Sequence, residues 1–389
     1  MSAKVPVAPP TCKGAVVAAT ERRFWRAAGQ LLQRLLGVAG GLFAVGAAKA
    51  VDLGPDQAEV LYHRYQGAGL QASGPAVLVR KGFLGHTAVT GTAYVDAVSS
   101  ASIDVVTSAS PYSERRTEYG LQAEHVHRDA RLTVSASNSS EPDYQARRLG
   151  LDVSQEVFGG MSTVSMGFTR GNDNVKKHGE PTFARTADHW QYRVGASLIL
   201  TPRCLVSANA EAMADAGFLG SPYRVAQVFG ATVPERVPET RSARAIKLRV
   251  VGDLGSRNAL QAGVRYYWDS WGIAGTTVDA VYTQHVGQAW LLDATVRVHT
   301  QRKAVFYSDN AQADTLYVSR NRQLGSFQDT SLGARAAYTF KQVLGPNDLT
   351  VHGAFERVRY SYSDFTDLRT GQLYRYHANV MQVHVSTTF

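Results

Sequence analysis

Short segments in which apolar and polar side chains alternate at every second position make up most of this chain. Residues 131–137 (RLTVSAS) alternate without error, as do residues 118–124 (EYGLQAE). Because successive side chains of a β-strand point to opposite faces, this period of two predicts strands with one apolar and one polar face. The same pattern recurs in residues 148–154, 163–169, 190–200, 207–212, 260–269, 292–301 and 332–340.

About 16 such segments follow residue 50, with almost no helical periodicity between them. A soluble β-sandwich would show the pattern in about half as many strands, with the apolar faces turned inward. In an outer-membrane barrel the apolar faces contact lipid, the polar faces line the lumen, and closure pairs every backbone group. The pattern therefore predicts an all-β fold, a transmembrane antiparallel up-and-down β-barrel of about 16 strands (range roughly 14 to 18).

The lengths of the predicted connections give an independent test of this barrel. If a first strand at about residues 59–65 starts in the periplasm, every predicted periplasmic turn has seven residues or fewer. These turns lie at about residues 82–86, 126–130, 156–162, 201–203, 251–257, 284–288 and 341–347. All long connections then fall at the extracellular end, as outer-membrane barrels require. They are at about residues 98–114, 170–188, 213–243, 301–329 and 360–373.

Tyrosine and tryptophan side chains flank many of the alternating segments. Aromatic girdles of this kind lie at both membrane interfaces of outer-membrane barrels. The predicted girdle comprises Tyr62, Tyr94, Trp190, Tyr192, Tyr266, Trp268, Trp290, Tyr338, Tyr360 and Tyr374.

Composition excludes several other classes of protein. The 389 residues are 44% hydrophobic and 19% charged, which is too apolar for a disordered chain. No run of 18 apolar residues exists, so a helical membrane protein is not expected. Two cysteines exclude a disulfide scaffold and any cysteine-based zinc or haem motif, and we expect no cofactor.

The basic charge of the chain is concentrated in its first 50 residues. The net charge is +9, and residues 1–50 carry seven basic groups and one acid, which leaves only +3 for the remainder. A nucleic-acid partner is therefore not expected. Within this segment a long basic region precedes the uncharged residues 35–48, and Ala48-Lys49-Ala50 has the small-x-small pattern of a cleavage site. We predict a signal peptide over residues 1–50, cleaved after Ala50, and a barrel over residues 51–389.

The last strand carries a second targeting feature. Met381, Val383 and Val385 alternate with polar residues, and Phe389 is the last residue. Such a strand resembles the insertion signal that the barrel-insertion machinery reads. The expected partners are that machinery and the lipid and lipopolysaccharide of a Gram-negative outer membrane. The sequence does not decide whether the barrel also forms a homo-oligomer.

Several longer motifs resemble one bacterial family. They are residues 99–107 and 109–112 (SSASIDVVT and ASPY), 220–224 (GSPYR), 235–241 (ERVPETR), 266–273 (YYWDSWGI) and 306–309 (FYSD). These motifs resemble a family known only as a domain of unknown function, over about residues 60–389. The resemblance implies an outer-membrane β-barrel without established catalytic residues. Most of the motifs fall in the predicted outer loops, which are expected to fold inward and constrict the lumen or to pack at the rim.

The predicted lumen carries charges of both signs. Facing acids and bases would orient polar solutes through a transverse field, whereas a salt-bridge lattice would only fill the wall. Both alternatives stay open, and the small basic excess predicts a weak anion preference. The candidate bases are Arg80, Arg131, Arg148, Arg193, Lys247, Arg249, Arg265, Arg297 and Arg335, and the candidate acids are Asp96, Glu118, Glu124, Asp152, Glu211, Asp279 and Asp293.

Four further motifs are weaker candidates for a functional site. His125 and His127 lie on the same face of a strand as a metal pair would, but at a predicted periplasmic turn where a membrane-edge role is favoured. Oxygens of Asp309, Asn310 and Asp314 could hold Ca²⁺, although solvated loop acids are the simpler interpretation. The stretch 176–178 (KKH) could contact lipopolysaccharide phosphates, and Cys204 lies in the apolar, lipid-facing register.

These features favour a porin-like pore for small polar solutes. Sixteen strands normally leave a water-filled lumen. The first alternative is a structural or accessory barrel, plugged by its loops, that sheathes or anchors a periplasmic partner. An outer-membrane enzyme is disfavoured, because no nucleophile elbow, P-loop or zinc-protease motif occurs, and we predict no catalytic residues and no metal site.

Overall fold

The computed structural model describes residues 53–100 and 112–389, which form a closed antiparallel β-barrel of 16 strands. Each strand pairs with its sequence neighbour in the wall, and the first strand closes the barrel against the last. The prediction of a transmembrane up-and-down barrel with about 16 strands is confirmed. The wall strands are β1 (Gln57–Gly67), β2 (Leu70–Phe83), β3 (Thr87–Ser100), β4 (Tyr112–His127), β5 (Ala130–Ser140), β6 (Tyr144–Val157), β7 (Ser162–Lys176), β8 (Ala184–Thr201), β9 (Cys204–Gly217), β12 (Thr240–Gly255), β13 (Asn258–Asp269), β14 (Ala274–Val286), β15 (Trp290–Arg302), β16 (Phe327–Leu344), β17 (Asn347–Asp367) and β18 (Gln372–Thr388). A hairpin of β10 (Val225–Val228) and β11 (Ala231–Pro234) lies outside the wall.

The alternating sequence pattern decides which face of each strand turns outward. On β12, Ile246, Leu248 and Val250 are 44–49% exposed, whereas Ala243 and Ala245, which belong to the opposite face, are buried. Exposed apolar side chains repeat at every second position around the wall, where they face the lipid. Closure satisfies the backbone of both edge strands, so no unpaired N–H or C=O edge faces the hydrocarbon.

Connections differ sharply between the two ends of the barrel. The seven turns at the periplasmic end have two to four residues each. The longest connections, residues 218–239 and 303–326, both lie at the extracellular end, as predicted. The wall strands run further outward than the sequence pattern indicated, and the last outer connection shrinks to residues 368–371. Backbone pairing between adjacent strands continues above the membrane, where alternation of apolar side chains is no longer required.

The two long outer connections fold against each other as an ordered cap. Backbone bridges join Val228 to Ala311 and Arg236 to Val318, so the β10–β11 hairpin pairs with the connection between β15 and β16. Three clusters of buried apolar residues hold this cap and the strand ends beneath it together, around Trp271, Val318 and Phe365. The densest apolar packing of the described chain therefore lies in the outer part of the molecule and not in the wall.

The seam between β1 and β18 completes the wall. Val60 pairs with Val385 and Tyr62 with Val383, and these outward side chains continue the apolar belt across the closure. Met381 and Phe389, the other members of the predicted insertion signal, are also exposed on the outside. None of the helices in the described ranges is long and apolar enough to span a membrane. The predicted cleavage residues Ala48 and Ala50 lie outside the described residues.

Candidate pore wall and outer cap

The predicted pore-lining side chains share one face of the wall. On every strand that carries them, they alternate with the exposed apolar residues, which places them on the inward side. Direct cross-strand partners lie on the same face of a sheet, and the strand registers connect these positions around the barrel. The inward set is Arg80, Asp96, Glu118, Glu124, Arg131, Arg148, Asp152, Arg193, Glu211, Lys247, Arg249, Arg265, Asp279, Asp293, Arg297 and Arg335.

Many of these charges neutralise each other along the wall. Each paired arginine bonds a carboxylate on an adjacent strand or on the next strand but one. Such pairs form a salt-bridge lattice along the wall. They leave few separated acids and bases that could produce a transverse field across the lumen. The nitrogen–oxygen distances are 2.7 Å for Arg80–Glu124, 2.7 Å for Arg193–Asp152, 3.5 Å for Arg265–Glu211, 3.1 Å for Arg297–Asp329 and 2.6 Å for Arg335–Asp293.

A glycine makes one of these long-reaching pairs possible. Asp152 on β6 and Arg193 on β8 are both direct partners of Gly167 on β7. A Cβ atom on Gly167 would lie 2.0 Å from Asp152 Oδ1 and 2.9 Å from Arg193 Nε. The missing side chain therefore leaves the space through which the ion pair crosses the middle strand.

One part of the wall contains two cationic side chains without an ion-pair partner among the described residues. Lys247 and Arg249 lie on β12, and Lys247 is the direct partner of Arg265 on β13. Within the described ranges, Lys247 and Arg249 form no ion pair. Arg249 lies opposite Gly263, and Asp279 lies on the far side of that glycine. Together with Arg265 and its partner Glu211, this region holds three cationic and two acidic side chains, an excess of one positive charge.

Three of the predicted girdle aromatics lie on the inward face instead. Tyr94 stacks on His63 with ring centroids 4.9 Å apart, and its hydroxyl lies 3.0 Å from His63 Nε2. The same nitrogen lies 2.6 Å from Asp96 Oδ1. Tyr360 and Tyr374 also face inward, with the buried Tyr362 between them in one aromatic cluster. The girdle prediction was wrong for these three residues, because an aromatic side chain fits either face of a strand end.

A second inward polar cluster was not predicted from the sequence. His189 on β8 lies between two carboxylates, 2.7 Å from Asp215 and 2.9 Å from Asp173. Tyr144 on β6 donates its hydroxyl to Asp173. Polar residues at alternate positions mark all four as inward, but no spacing along the chain indicates that they meet.

The outer cap is held over the inward face by polar and aromatic contacts. The buried Arg320 bonds Asp309 at 2.8 Å, donates to the carbonyl of Thr366 at 2.6 Å, and lies over the ring of Phe365. Tyr307 donates its hydroxyl to the carbonyl of Asp364 at 3.0 Å, and burial raises the pKa of this hydroxyl.

A second arginine of the same connection reaches the inward wall itself. Arg322 stacks on the rings of Tyr374 and Tyr376, two inward residues of β18. The connection between β15 and β16 is therefore attached to the inner side of the wall at the outer mouth.

The loop oxygens considered for Ca²⁺ are used within the cap. Asp309 bonds Arg320, Asn310 accepts from the N–H of Gly230 at 2.9 Å, and Asp314 bonds Arg236. Among the described residues, no group of three histidine, cysteine or carboxylate side chains could hold a metal ion. These three side chains therefore join different parts of the cap to one another.

The remaining candidates lie away from the lumen. His125 and His127 share the outward face at the periplasmic end of β4, where His125 Nδ1 lies 3.0 Å from the Thr87 hydroxyl. Cys204 falls in the same outward register as Val206 and Ala208. Lys177 bonds Glu180 at 2.6 Å in the outer connection between β7 and β8.

A closed sixteen-stranded wall with apolar residues outside and polar residues inside defines an outer-membrane β-barrel. Residues 184–356 match the sequence model of a family described as "Protein of unknown function (DUF3570)". For that part of the chain, the match confirms the family resemblance carried by the motifs between residues 220 and 309.

Two solved structures have the same fold. A bacterial polysaccharide outer membrane secretin superimposes with a TM-score of 0.52 at 8% identity, covering 85% of this chain and 98% of the secretin chain. CdiB from Acinetobacter baumannii gives a TM-score of 0.52 at 8% identity, covering 86% of this chain and 60% of the CdiB chain. No curated protein matches the sequence. At this level of identity the similarity shows the fold alone, which is that of outer-membrane proteins of Gram-negative bacteria.

Proposed function

We propose that this protein is a porin-like pore for small polar solutes in the outer membrane, with an outer cap that narrows its entrance. The observation that carries the proposal is the polar inward face of a closed sixteen-stranded wall. Barrels of this strand number enclose an aqueous channel when side chains do not fill them. Attachment of the connection between β15 and β16 to inward tyrosines supports the narrowing of the outer mouth.

The charge distribution of the wall supports a weak preference for anions. Five arginines are neutralised by neighbouring carboxylates, whereas Lys247 and Arg249 have no ion-pair partner in the described part of the chain. Asp279, across Gly263 from Arg249, offsets one of these two charges. Cationic side chains that line a pore raise the local concentration of anions. The preference is weak because the surrounding lattice is close to neutral.

The packing of the cap favours a second candidate, a plugged barrel with a structural or accessory role. Buried residues such as Arg320, Val318 and Phe365 give the cap a core of its own. A cap with this much internal packing could close the mouth permanently. The barrel would then anchor or sheathe a periplasmic partner without passing solute.

Ion conduction separates the two candidates. The full-length chain is expressed in a Gram-negative host, and the barrel is purified from its outer membrane and inserted into a planar lipid bilayer. A pore gives discrete conductance steps and, under a salt gradient, a reversal potential of the sign expected for anion preference. A barrel that shifts its gel mobility on heating, and is therefore folded, but never conducts would contradict the pore and favour the plugged barrel.

A further inference from the structure

Three exposed arginines lie together on the outward face of the last two strands. Arg357 and Arg359 on β17 share their face with Phe355, and Arg375 on β18 shares its face with Met381. None of the three forms an ion pair with another described residue. Arg357, Arg359 and Arg375 are named here the outward arginine cluster.

The strand register brings the positive charges of the outward arginine cluster close together. Arg359 is the direct partner of His377, and the next outward residue of β18 is Arg375. Directly opposed side chains have Cβ atoms about 5 Å apart, and diagonal neighbours are about 7–8 Å apart. Like charges at such distances repel each other, so an anion between them would stabilise the arrangement.

The cluster lies above the apolar belt, with Arg357 nearest to it and Arg375 furthest out. Toward the periplasm, the next outward side chain on β17 is Phe355, whereas on β18 the polar His377 and Asn379 precede Met381 and Val383. Phe355, Met381 and Val383 are 44%, 51% and 55% exposed. About 9–11 residues of a tilted strand cross the hydrocarbon, and outward arginines cost little only near the interface. The guanidinium groups therefore lie at the depth of the lipid head groups of the outer leaflet.

Single arginines repeat this position elsewhere on the outside of the wall. The first outward residue above the apolar belt is Arg64 on β1 after Tyr62, Arg147 on β6 after Leu149, Arg170 on β7 after Phe168, and Arg244 on β12 after Ile246. Only Arg170 has an acid nearby, Asp188 at 3.9 Å. The outer rim of the apolar belt is thus cationic, and the outward arginine cluster is its densest part.

We propose that the outward arginine cluster binds the phosphate groups of a phosphorylated lipid in the outer leaflet. Guanidinium groups form bidentate, charge-assisted hydrogen bonds with phosphate oxygens, and arginine is favoured over lysine for this geometry. The acyl chains of the same lipid would lie against Phe355, Met381 and Val383, further toward the periplasm on the same face. A lipid satisfies both halves of the surface, whereas a free phosphate ion would satisfy only the upper half.

Binding is measured on the full-length chain, purified from outer membranes and delipidated in detergent. The probes are lipid A carrying two phosphates, the same lipid A after enzymatic dephosphorylation, and inorganic phosphate, each followed by native mass spectrometry. The test variant is R357Q/R359Q/R375Q, and R357K/R359K/R375K keeps the charge without the fork geometry. The matched control, R147Q/R244Q/R302Q, removes three outward charges from three separate strands.

The expected result is that the glutamine variant binds the phosphorylated lipid at least about tenfold more weakly, while the control stays within about twofold. The lysine variant should lie between them, and all proteins should bind the dephosphorylated lipid equally weakly. Equal binding of the phosphorylated lipid by the glutamine variant and the unaltered protein would overturn the proposal. So would inorganic phosphate that binds as tightly as the lipid, since the ligand would then be the free ion. Gel mobility before and after heating shows that each variant is folded.

Discussion

The main-chain N–H of Phe389 donates a hydrogen bond to the carbonyl oxygen of Asp56 at 3.0 Å. This bond joins the last residue of the barrel to the residue that precedes its first strand. The carboxylate of Asp56 in turn accepts from Lys81 Nζ at 2.6 Å and from the N–H of Gly82 at 2.5 Å, and Lys81 also lies over the ring of Phe389. The periplasmic end of the seam is therefore closed by contacts that converge on Asp56.

Protonation of Asp56 should weaken this seam. The hydrogen bond from Lys81 holds the pKa of Asp56 below its usual value of 3.8. A carboxyl whose pKa is lower in the folded state stabilises the fold above the unfolded pKa, and this contribution disappears as pH falls through the folded pKa. We expect D56N to be less stable than the unaltered barrel at pH 7 and equally stable at very low pH, measured by urea unfolding in detergent.

The control for this prediction uses a similar contact on the same rim. The carboxylate of Asp348 accepts from Lys341 and from the N–H of Gln342, both on β16, which is not a strand of the seam. If closure of the seam is what Asp56 supports, D56N slows refolding into detergent more than D348N does. Equal refolding rates for the two variants would show that only the loss of an ion pair matters.

A side chain at position 167 should break the ion pair between Asp152 and Arg193, which now passes over Gly167. In Gly167→Ala, the new Cβ atom occupies the path between Asp152 and Arg193, and both side chains must turn into the lumen. The pair is partly exposed, so its loss should cost no more than about 1 kcal/mol of unfolding free energy. The expected readout is a changed single-channel conductance with nearly unchanged stability. Gly91→Ala is the control, because a Cβ there meets nothing within 4 Å.

Removal of the two cations without an ion-pair partner in the described chain, Lys247 and Arg249, should change ion selectivity. In K247Q/R249Q the wall loses two positive charges, and we expect the reversal potential under a salt gradient to move toward cation preference. R80Q/E124Q removes a neutralised pair at 2.7 Å and should leave the reversal potential unchanged. A shift of equal size in both variants would contradict the role assigned to Lys247 and Arg249.

The cap should loosen without unfolding of the wall when Arg320 is replaced. R320M removes a buried guanidinium and leaves its acceptors on Asp309 and Thr366 without a donor, a loss of about 3–5 kcal/mol from the local packing. We expect faster proteolytic cleavage within residues 303–326 and a noisier, larger conductance. The melting of the wall should be almost unaffected.

A matched variant tests whether the effect belongs to Arg320. Arg224 contacts the same connection at an exposed position, 3.5 Å from the Gln323 side chain. R224Q should leave cleavage and conductance near those of the unaltered protein. Cleavage rates that rise equally in both variants would show that the cap has no specific attachment through Arg320.

The strand number, the sidedness of the connections and the inward parity of the charged residues could all be read from the sequence. These features depend on local alternation, which lipid outside and water inside impose on every strand. The short periplasmic turns add a second local signal, since each separates two alternating segments by only a few residues. The fold was therefore predictable from short stretches taken one at a time.

Partnerships between distant strands were not predictable in the same way. Arg193 meets Asp152 only because the stagger of β6, β7 and β8 puts Gly167 between them. Tyr94 lies two residues from Asp96, so its parity already indicated the inward face, yet its aromatic character suggested the girdle. The cap depends on contacts such as Arg236 with Asp314, 78 residues apart, for which a single sequence gives no signal.

The short turns at the periplasmic end limit the surface that a periplasmic protein could contact. Each turn has only two to four residues, so the described periplasmic rim has few projecting side chains. A periplasmic partner would therefore contact few side chains that differ between this barrel and others with the same number of strands. The features that distinguish this barrel lie instead at the extracellular end, in the cap formed by residues 218–239 and 303–326.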